Sequence, residues 1–278
     1  MLDKPLKSKT SSAPFNYADL AGRSAIVMGS TSGIGLGIAC AFAACGMNVL
    51  LNGFGERNEI DRTVAELADT YDVKTAYSSA DMSWPDDIAR MVDWTTETFG
   101  AVDVLVNNAG IQHVEAVETF PIEKWNAIIA INLSAGFHAI RVAVAGMKAR
   151  RFSRIINVAS AHALVASPFK SAYVSSKHGI IGLTKTVALE TAEYGITVNA
   201  ICPGYVPTPL VEKQIPETAK ARGLTEEQVI RDVLLHAQPT RQFVTTDEIG
   251  ALAVFLCSSS ARSITGAAIP IEGGWTAQ

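Results

Sequence analysis

Arg23-Ser-Ala-Ile-Val-Met28 followed by Gly29-Ser-Thr-Ser-Gly33-Ile-Gly35 decides the fold. The first six residues are the short apolar pattern of a buried strand, and the small and apolar residues from about Leu36 to Cys45 read as a helix. A glycine-rich turn between a strand end and a helix start lets backbone N–H groups approach a pyrophosphate, and the helix dipole favours the negative charge. Taken alone the glycines are equally the mark of a plain tight turn. Their place between strand and helix makes them a dinucleotide site, with Gly29, Thr31, Ser32, Gly33, Ile34 and Gly35 around the phosphates.

The same alternation then repeats along the chain. A second strand, Met47 to Asn52, precedes a helix from about Glu56 to Tyr71, and a third strand near Lys74–Ser79 precedes a helix from about Trp84 to Phe99. Strand four, Val102 to Val106, ends in Asn107-Asn108-Ala109-Gly110, and Pro121 starts a long helix carrying Trp125, Asn132 and His138. Strand five, Arg154-Ile-Ile-Asn-Val-Ala-Ser160, leads to the Tyr173 helix, strand six (Ile196–Ile201) and strand seven (near Ala267–Ile271). Strands alternating with helices imply right-handed crossovers and a parallel sheet covered on both faces. The expected fold is therefore α/β, a single Rossmann-type doubly wound domain of about seven strands over residues 19–278. Ligands of such sheets lie beyond the carboxyl ends of the strands, where the Gly29 loop, Asn108, Ser160 and Pro203-Gly204 all fall.

Strand two ends in Asn52-Gly53-Phe54, without the acid that binds a ribose diol or an arginine that would favour a 2′-phosphate. Gly53 and Phe54 leave room for the ribose, and Asp81-Met82 is placed to meet an adenine edge. NAD is the expected cofactor, with Arg57 keeping its phosphorylated counterpart open.

Composition narrows the function classes. The 278 residues are 48% hydrophobic and 18% charged, with a net charge of −4 and no long basic run. A nucleic-acid or anionic-membrane role has no electrostatic support. Cys40, Cys45, Cys202 and Cys257 form no CxxC pair and sit in apolar segments, which reads as small hydrophobes in a reducing, cytoplasmic setting, with no metal site. No apolar run approaches a bilayer span. Residues 1–18, rich in Lys, Ser, Thr and Pro, read as a flexible tail.

The chemistry concentrates around Tyr173-Val-Ser-Ser-Lys177. Positions i and i+4 share a helix face, so a phenol and an ammonium address one small volume. A free tyrosine titrates near ~10, too high for an efficient base, and a neighbouring cation lowers that value. Ser160, at the end of strand five, supplies a hydroxyl for an alcohol or carbonyl oxygen. Together these make a proton-transfer site for carbonyl/alcohol interconversion. By itself the tyrosine–lysine pair would be a surface pattern; its neighbours give it meaning.

From Leu20 to Gln278 the chain resembles the short-chain dehydrogenase/reductase family, through Gly29-xxx-Gly33-x-Gly35, Asn107-Asn-Ala-Gly110, Asn132, Ser160, Tyr173-xxx-Lys177 and Pro203-Gly204. The resemblance implies a catalytic set of Asn132, Ser160, Tyr173 and Lys177. In it Tyr173 takes the hydroxyl proton and Ser160 stabilises the substrate oxygen. Lys177 holds the nicotinamide ribose, and Asn132 anchors a water linking Lys177 to solvent. It also implies cofactor contacts from Asn108, Ala109, Gly110, Pro203, Gly204, Val206 and Thr208, and a homotetramer. Met28 stands where the family commonly has threonine.

A narrower resemblance is to the bacterial D-3-hydroxybutyrate dehydrogenases, in Asn107–His113, Ala159–His162, Lys170–Tyr173, Thr208–Gln214 and Gly273–Thr276. It implies a short hydroxy acid gripped by Gln112, Ser160, His162, Lys170, Tyr173, Gln214 and Trp275, which suits an anion needing one cation and several neutral donors. The expected reaction is (R)-3-hydroxybutyrate with NAD to acetoacetate. Two alternatives stay open: an NADPH-dependent reductase of 3-ketoacyl thioesters, and a catalytically silent nucleotide sensor. Residues 206–243, bracketed by Pro207, Pro209, Pro216 and Pro239, read as a helical lid carrying Gln214 over two patterns, Leu210–Gln214 and Thr225–His236. Tyr205 stands where the family often has tryptophan.

Overall fold

The structure, a computed structural model, describes residues 17–277. All but the last two residues of the expected 1–18 tail therefore lie outside the described residues. Seven parallel strands form one sheet in the order β3-β2-β1-β4-β5-β6-β7. They are β1 (Ser24–Val27), β2 (Asn48–Asn52), β3 (Thr75–Ser78), β4 (Val104–Asn107), β5 (Ser153–Val158), β6 (Ile196–Pro203) and β7 (Ala268–Ile271). Between them run α1 (Gly33–Ala44), α2 (Arg57–Tyr71), α3 (Pro85–Phe99), α4 (Ile122–Ile129), α5 (Ala135–Arg150), α6 (Ser171–Thr191) and α7 (Pro209–Arg222). A last long helix, Thr246–Cys257, precedes β7.

Successive strand residues face opposite sides of the sheet, and both sides are dry. Val27, Val49, Leu51, Val106 and Ile156 pack against Ile38 and Phe42 of α1 and Ile249 and Val254 of the last helix. Ile26, Leu50, Leu105, Ile155 and Val198 pack against Ile88 and Met91 of α3 and Ile140 and Met147 of α5. This double burial is why the strands read in the sequence as unbroken apolar runs.

The chain winds outward from β1 to β3 and then crosses back to β4, so a crevice opens between the carboxyl ends of β1 and β4. Here the backbones nearly touch: a Cβ on Gly29 would lie 2.8 Å from the Ala109 Cα. A Cβ on Gly35 would lie 2.2 Å from the Gly29 carbonyl oxygen and 2.5 Å from the Asn108 amide nitrogen, so only glycine fits. The turn needs no hydroxyl at Met28. Asn108 Nδ2 donates to the carbonyls of Met28 (3.0 Å) and Gly29 (2.8 Å), and Ser30 Oγ donates to the Val27 carbonyl (2.6 Å). Asn52 completes the brace. Its Oδ1 accepts from the Gly29 N–H (3.2 Å), and its Nδ2 donates to the carbonyls of Ser78 (3.1 Å) and Ala80 (2.9 Å).

Several sequence readings are corrected. Strand β5 stops at Val158, two residues before Ser160, because Ser160 caps a short 3-10 turn, Ala161–Ala163. Strand β6 runs on to Pro203, paired with β7 through Ile271. The helix begun at Pro121 is continuous to Arg150 but carries a π-helical segment, Ala130–Ser134, whose extra residue turns Asn132 inward. By length and composition this 29-residue stretch, Ile122–Arg150, is apolar enough to cross a bilayer, against the expectation that no run is. Its alanines and glycines lower its polarity without forming an apolar block, and Ala139, Ile140 and Met147 are spent on the sheet. The Leu210–Gln214 pattern extends into the whole of α7, and Thr225–His236 resolves into short turns, Glu226–Gln228, Val229–Leu234 and Leu235–Ala237.

Asn52 serves at once as acceptor and as double donor, which its isostere aspartate cannot do. Asn52→Asp should set a carboxylate against two carbonyls in a fully buried position and lower stability by about 3 kcal/mol, read as a reduced Tm. An unchanged Tm would remove Asn52 from this account.

Candidate active site

The crevice at the β1/β4 ends is a cavity of about 290 Å³. Of the residues expected to hold the dinucleotide, Gly29, Thr31, Ser32, Gly33, Ile34, Phe54, Asp81, Met82, Asn108, Ala109, Gly110, Tyr173, Lys177 and Thr208 line it. Gly35 sits behind the turn, while Pro203, Gly204 and Val206 line an adjoining second cavity. The α1 N-terminus begins at Gly33, held in a left-handed conformation at φ +57°, so unpaired backbone N–H groups face the cavity. These features fit a dinucleotide: a narrow amide cradle for phosphates, an apolar slot by Met82 for a base, and Lys177 with Tyr173 at the far end.

Three side chains from separate elements meet at that far end. Ser160 leaves β5 and sits beside Tyr173, on the first turn of α6, close enough to act on its phenol. Lys177, one turn further, donates its Nζ to the Val158 carbonyl at 2.7 Å and lies 5.6 Å from the Tyr173 ring centroid. All three are buried. Burial reverses the expected sign of the tyrosine shift: desolvation holds the Tyr173 phenol above its ordinary value, the Ser160 hydroxyl only partly opposing it. Desolvation also brings Lys177 down to about 8, which weakens the charge expected to assist the tyrosine. Asn132 spends its amide mainly on Ile111, accepting from its N–H and donating to its carbonyl, each at 2.9 Å, with Ser176 Oγ as a longer second acceptor at 3.5 Å. It thereby fixes the start of the loop that carries Gln112.

The second cavity, about 60 Å³, lies against Ser160 and Tyr173. Every residue expected to grip the substrate lines it: Gln112, Ser160, His162, Lys170, Tyr173, Gln214 and Trp275. Lys170 is buried at 4% exposure, with Nζ donating to the Tyr205 hydroxyl (3.3 Å) and Gln214 Oε1 (3.4 Å). Desolvation, then the Arg222 charge, brings Lys170 down to about 7. Burial holds His162 well below its ordinary value, with Lys170 adding to the effect, so its ring is neutral at pH 7. His162 Nδ1 lies 3.4 Å from Ser160 Oγ, and its Nε2 is buried without a partner, as is Gln112 Nε2. The cavity thus holds one cation and two unsatisfied polar atoms among its walls, the donor set an anionic end group requires.

Tyr205, noted in the sequence as standing where the family often has tryptophan but given no role among the substrate contacts, lines the second cavity. It stacks on Trp275 (5.2 Å between centroids, 19° between planes), and both rings meet His162 edge-on. The contact of Tyr205 with Lys170, 35 positions away in the chain, was not legible from its place directly after Pro203-Gly204 at the end of β6. Arg57, kept open as a 2′-phosphate partner, lines neither cavity: its Nε is held by both oxygens of Asp61 at 2.9 Å.

Comparison with known proteins finds relatives along nearly the whole of this chain. A family model described as enoyl-(acyl carrier protein) reductase matches residues 29–276. A D-beta-hydroxybutyrate dehydrogenase of Rhizobium meliloti is 56% identical over 92% of this chain and 99% of its own length. Another, from Cupriavidus necator, is 54% identical over 93% of this chain and 100% of its own. A solved structure of a candidate short-chain alcohol dehydrogenase from Sinorhizobium meliloti superposes with a TM-score of 0.83 at 32% identity, covering 94% of this chain and 99% of that one.

Carboxylate binding requires the ammonium form of Lys170, whose ordinary range is displaced to about 7. Affinity for a short carboxylate such as acetate should therefore be level below that pH. Above it, affinity should fall towards tenfold per pH unit, with a proton taken up on binding. Titration calorimetry across pH 6 to 9 checks this, and a flat profile through that range would contradict it.

Proposed function

The chain belongs to the short-chain dehydrogenase/reductase family, and we propose that it interconverts (R)-3-hydroxybutyrate and acetoacetate with NAD. The observation that carries this is the union of two cavities at Tyr173. One holds a dinucleotide cradle, and the other a small chamber with a single buried cation beside Ser160. A short hydroxy acid satisfies both ends of that chamber: its carboxylate meets Lys170, Gln112 and Gln214, and its hydroxyl meets Ser160 and Tyr173. The naming of relatives more than half identical to this chain as D-beta-hydroxybutyrate dehydrogenases supports the same substrate. At about 60 Å³ the chamber suits a few heavy atoms better than a long acyl thioester, which weighs against the ketoacyl reductase reading. The unbroken Asn132, Ser160, Tyr173 and Lys177 set weighs against a silent nucleotide sensor.

In the oxidative direction Ser160 Oγ holds the substrate oxygen and Tyr173 Oη removes its proton. Bound NAD would accept the hydride that leaves the carbon bearing that oxygen, as the C–O bond becomes a carbonyl. Lys177, on the cleft wall, is placed to hold ribose hydroxyls, and its ammonium then favours the ionised Tyr173. His162 and Trp275 close the chamber to water, which strengthens each of these contacts.

Two features support NAD over its phosphorylated counterpart. Arg57 is engaged by Asp61, and the cavity beyond Phe54 is lined by two acids, Glu56 and Glu59, against one arginine, Arg62, itself paired with Glu66. A cytoplasmic homotetramer in ketone body metabolism is the setting we assign: free cysteines support the reducing compartment, exposed Phe137 on α5 and Leu189 on α6 support self-association, and the metabolic role follows from the proposed substrate. Helix α7, which carries Gln214 over the chamber, is read as the lid.

Purified protein with NAD and each enantiomer of 3-hydroxybutyrate, followed by absorbance of the reduced nicotinamide, tests the reading. Turnover should appear with the (R) acid, and no turnover with either would refute it. Tyr173→Phe should lower kcat by roughly 10³-fold while NAD still binds. Lys170→Ala should act mainly on KM for the acid, because it removes charge pairing already present in the bound ground state.

A further inference from the structure

Among the non-glycine residues described, Phe169 is the one aromatic held at positive φ, +66°. Bulky side chains avoid this region, at a cost of about 1–3 kcal/mol. The segment Ser167-Pro168-Phe169-Lys170 has proline at the second place of a turn, and the third place of such a turn asks for glycine or asparagine. A strained backbone persists only where its surroundings over-determine it. Two anchors do so. The Phe169 carbonyl accepts a hydrogen bond from the Glu115 N–H at 3.0 Å, and the next residue, Lys170, is buried in the substrate chamber. Glu115 lies three residues after Gln112, on the irregular loop between β4 and α4. Loops from two different crossovers, each carrying one chamber donor, are thus fastened by their backbones beside those donors.

We propose that Phe169 is a positioning residue: its left-handed backbone, through the bond to Glu115, sets the spacing between Gln112 and Lys170 and so the grip on the substrate's carboxylate. The proposal rests on the short-acid reading of the chamber. It assigns the effect to backbone geometry and to neither the phenyl ring nor the Glu115 carboxylate, whose Oε1 is turned to the Ala116 N–H and Thr119 Oγ1. Misplaced donors weaken binding of the acid and leave the dinucleotide cleft, which neither residue lines, as it was.

Four variants of the full chain separate these possibilities. Glu115→Pro removes the N–H, whereas Glu115→Ala keeps it. Phe169→Val resists positive φ, whereas Phe169→Gly accepts it and serves as the rescue. Glu115→Pro and Phe169→Val should each raise KM for the hydroxy acid, and the Kd of acetate by calorimetry, by about tenfold. KM for NAD should stay within about twofold, the affinity expected when no contact is lost. Glu115→Ala and Phe169→Gly should match the parent in both readouts. Unchanged values in the first pair would overturn the proposal. So would equal damage in Phe169→Gly, which would put the role in the ring, or a parallel rise in KM for NAD, which would mean general loosening. If the parent turns over neither enantiomer, the functional reading fails instead, and the acetate Kd series still decides the positioning claim.

Discussion

The site is governed by the burial of two ammonium groups, Lys170 and Lys177, neither of which has a carboxylate partner among the described residues. Removing a cation from water costs several kcal/mol unless an opposite charge or a full set of acceptors is supplied. Here the protein supplies neutral oxygens only: the Val158 carbonyl for Lys177, and the Tyr205 hydroxyl and Gln214 amide for Lys170. Both lysines respond by releasing their protons more readily than in water. On the proposed function the balance is restored by what binds, an anionic end group at Lys170 and ribose hydroxyls beside Lys177. A pocket of this kind discriminates strongly, because a ligand lacking the anion leaves the desolvation uncompensated.

The sheet explains how such groups can be held close together. Parallel strands with right-handed crossovers deliver the ends of β1, β4, β5 and β6 to one edge, and each end contributes what its following turn presents. The Gly29 turn comes from β1, Asn108 from β4, Ser160 and His162 from β5, and Tyr205 from β6. Rigidity comes from amides used to capacity. Asn52 ties three strand ends, and Asn107, Asn157 and Thr184 form a buried chain linking β4, β5 and α6 (2.7 and 2.8 Å). Catalytic groups mounted on packed strands and helices hold their positions more closely than groups on loops do.

Much of this was legible in the chain because the periodicities are local. Apolar runs bounded by glycine, the strand–turn–helix at Gly29 and the four-residue spacing of Tyr173 and Lys177 each depend on neighbours within a few positions. Strand ends were less legible, since Ser160 leaves β5 by capping a turn with its own side chain and β6 is prolonged by its pairing with β7. The inward turn of Asn132 came from a π segment, for which helical periodicity carries no mark. The sign of the Tyr173 shift was misread for a deeper reason. Spacing shows that a cation is near, whereas the burial of Tyr173 depends on segments remote in the chain, such as Ile34, Tyr205 and Leu210, which line a cavity with it. The contacts of Tyr205 with Lys170 and Trp275 were hidden for the same cause.

The two cavities are not partitioned: Ile34, Ala159, Tyr173 and Leu210 are walls of both, and Leu210 rides on α7. Whatever fills one side moves or fixes a surface that the other side reads. Thermodynamic linkage then makes the influence mutual, so any factor by which nucleotide sharpens affinity for the acid must reappear, unchanged in size, as the acid sharpening affinity for nucleotide. On the proposed function, the common wall makes the pair of ligands, taken together, the species that the site answers to.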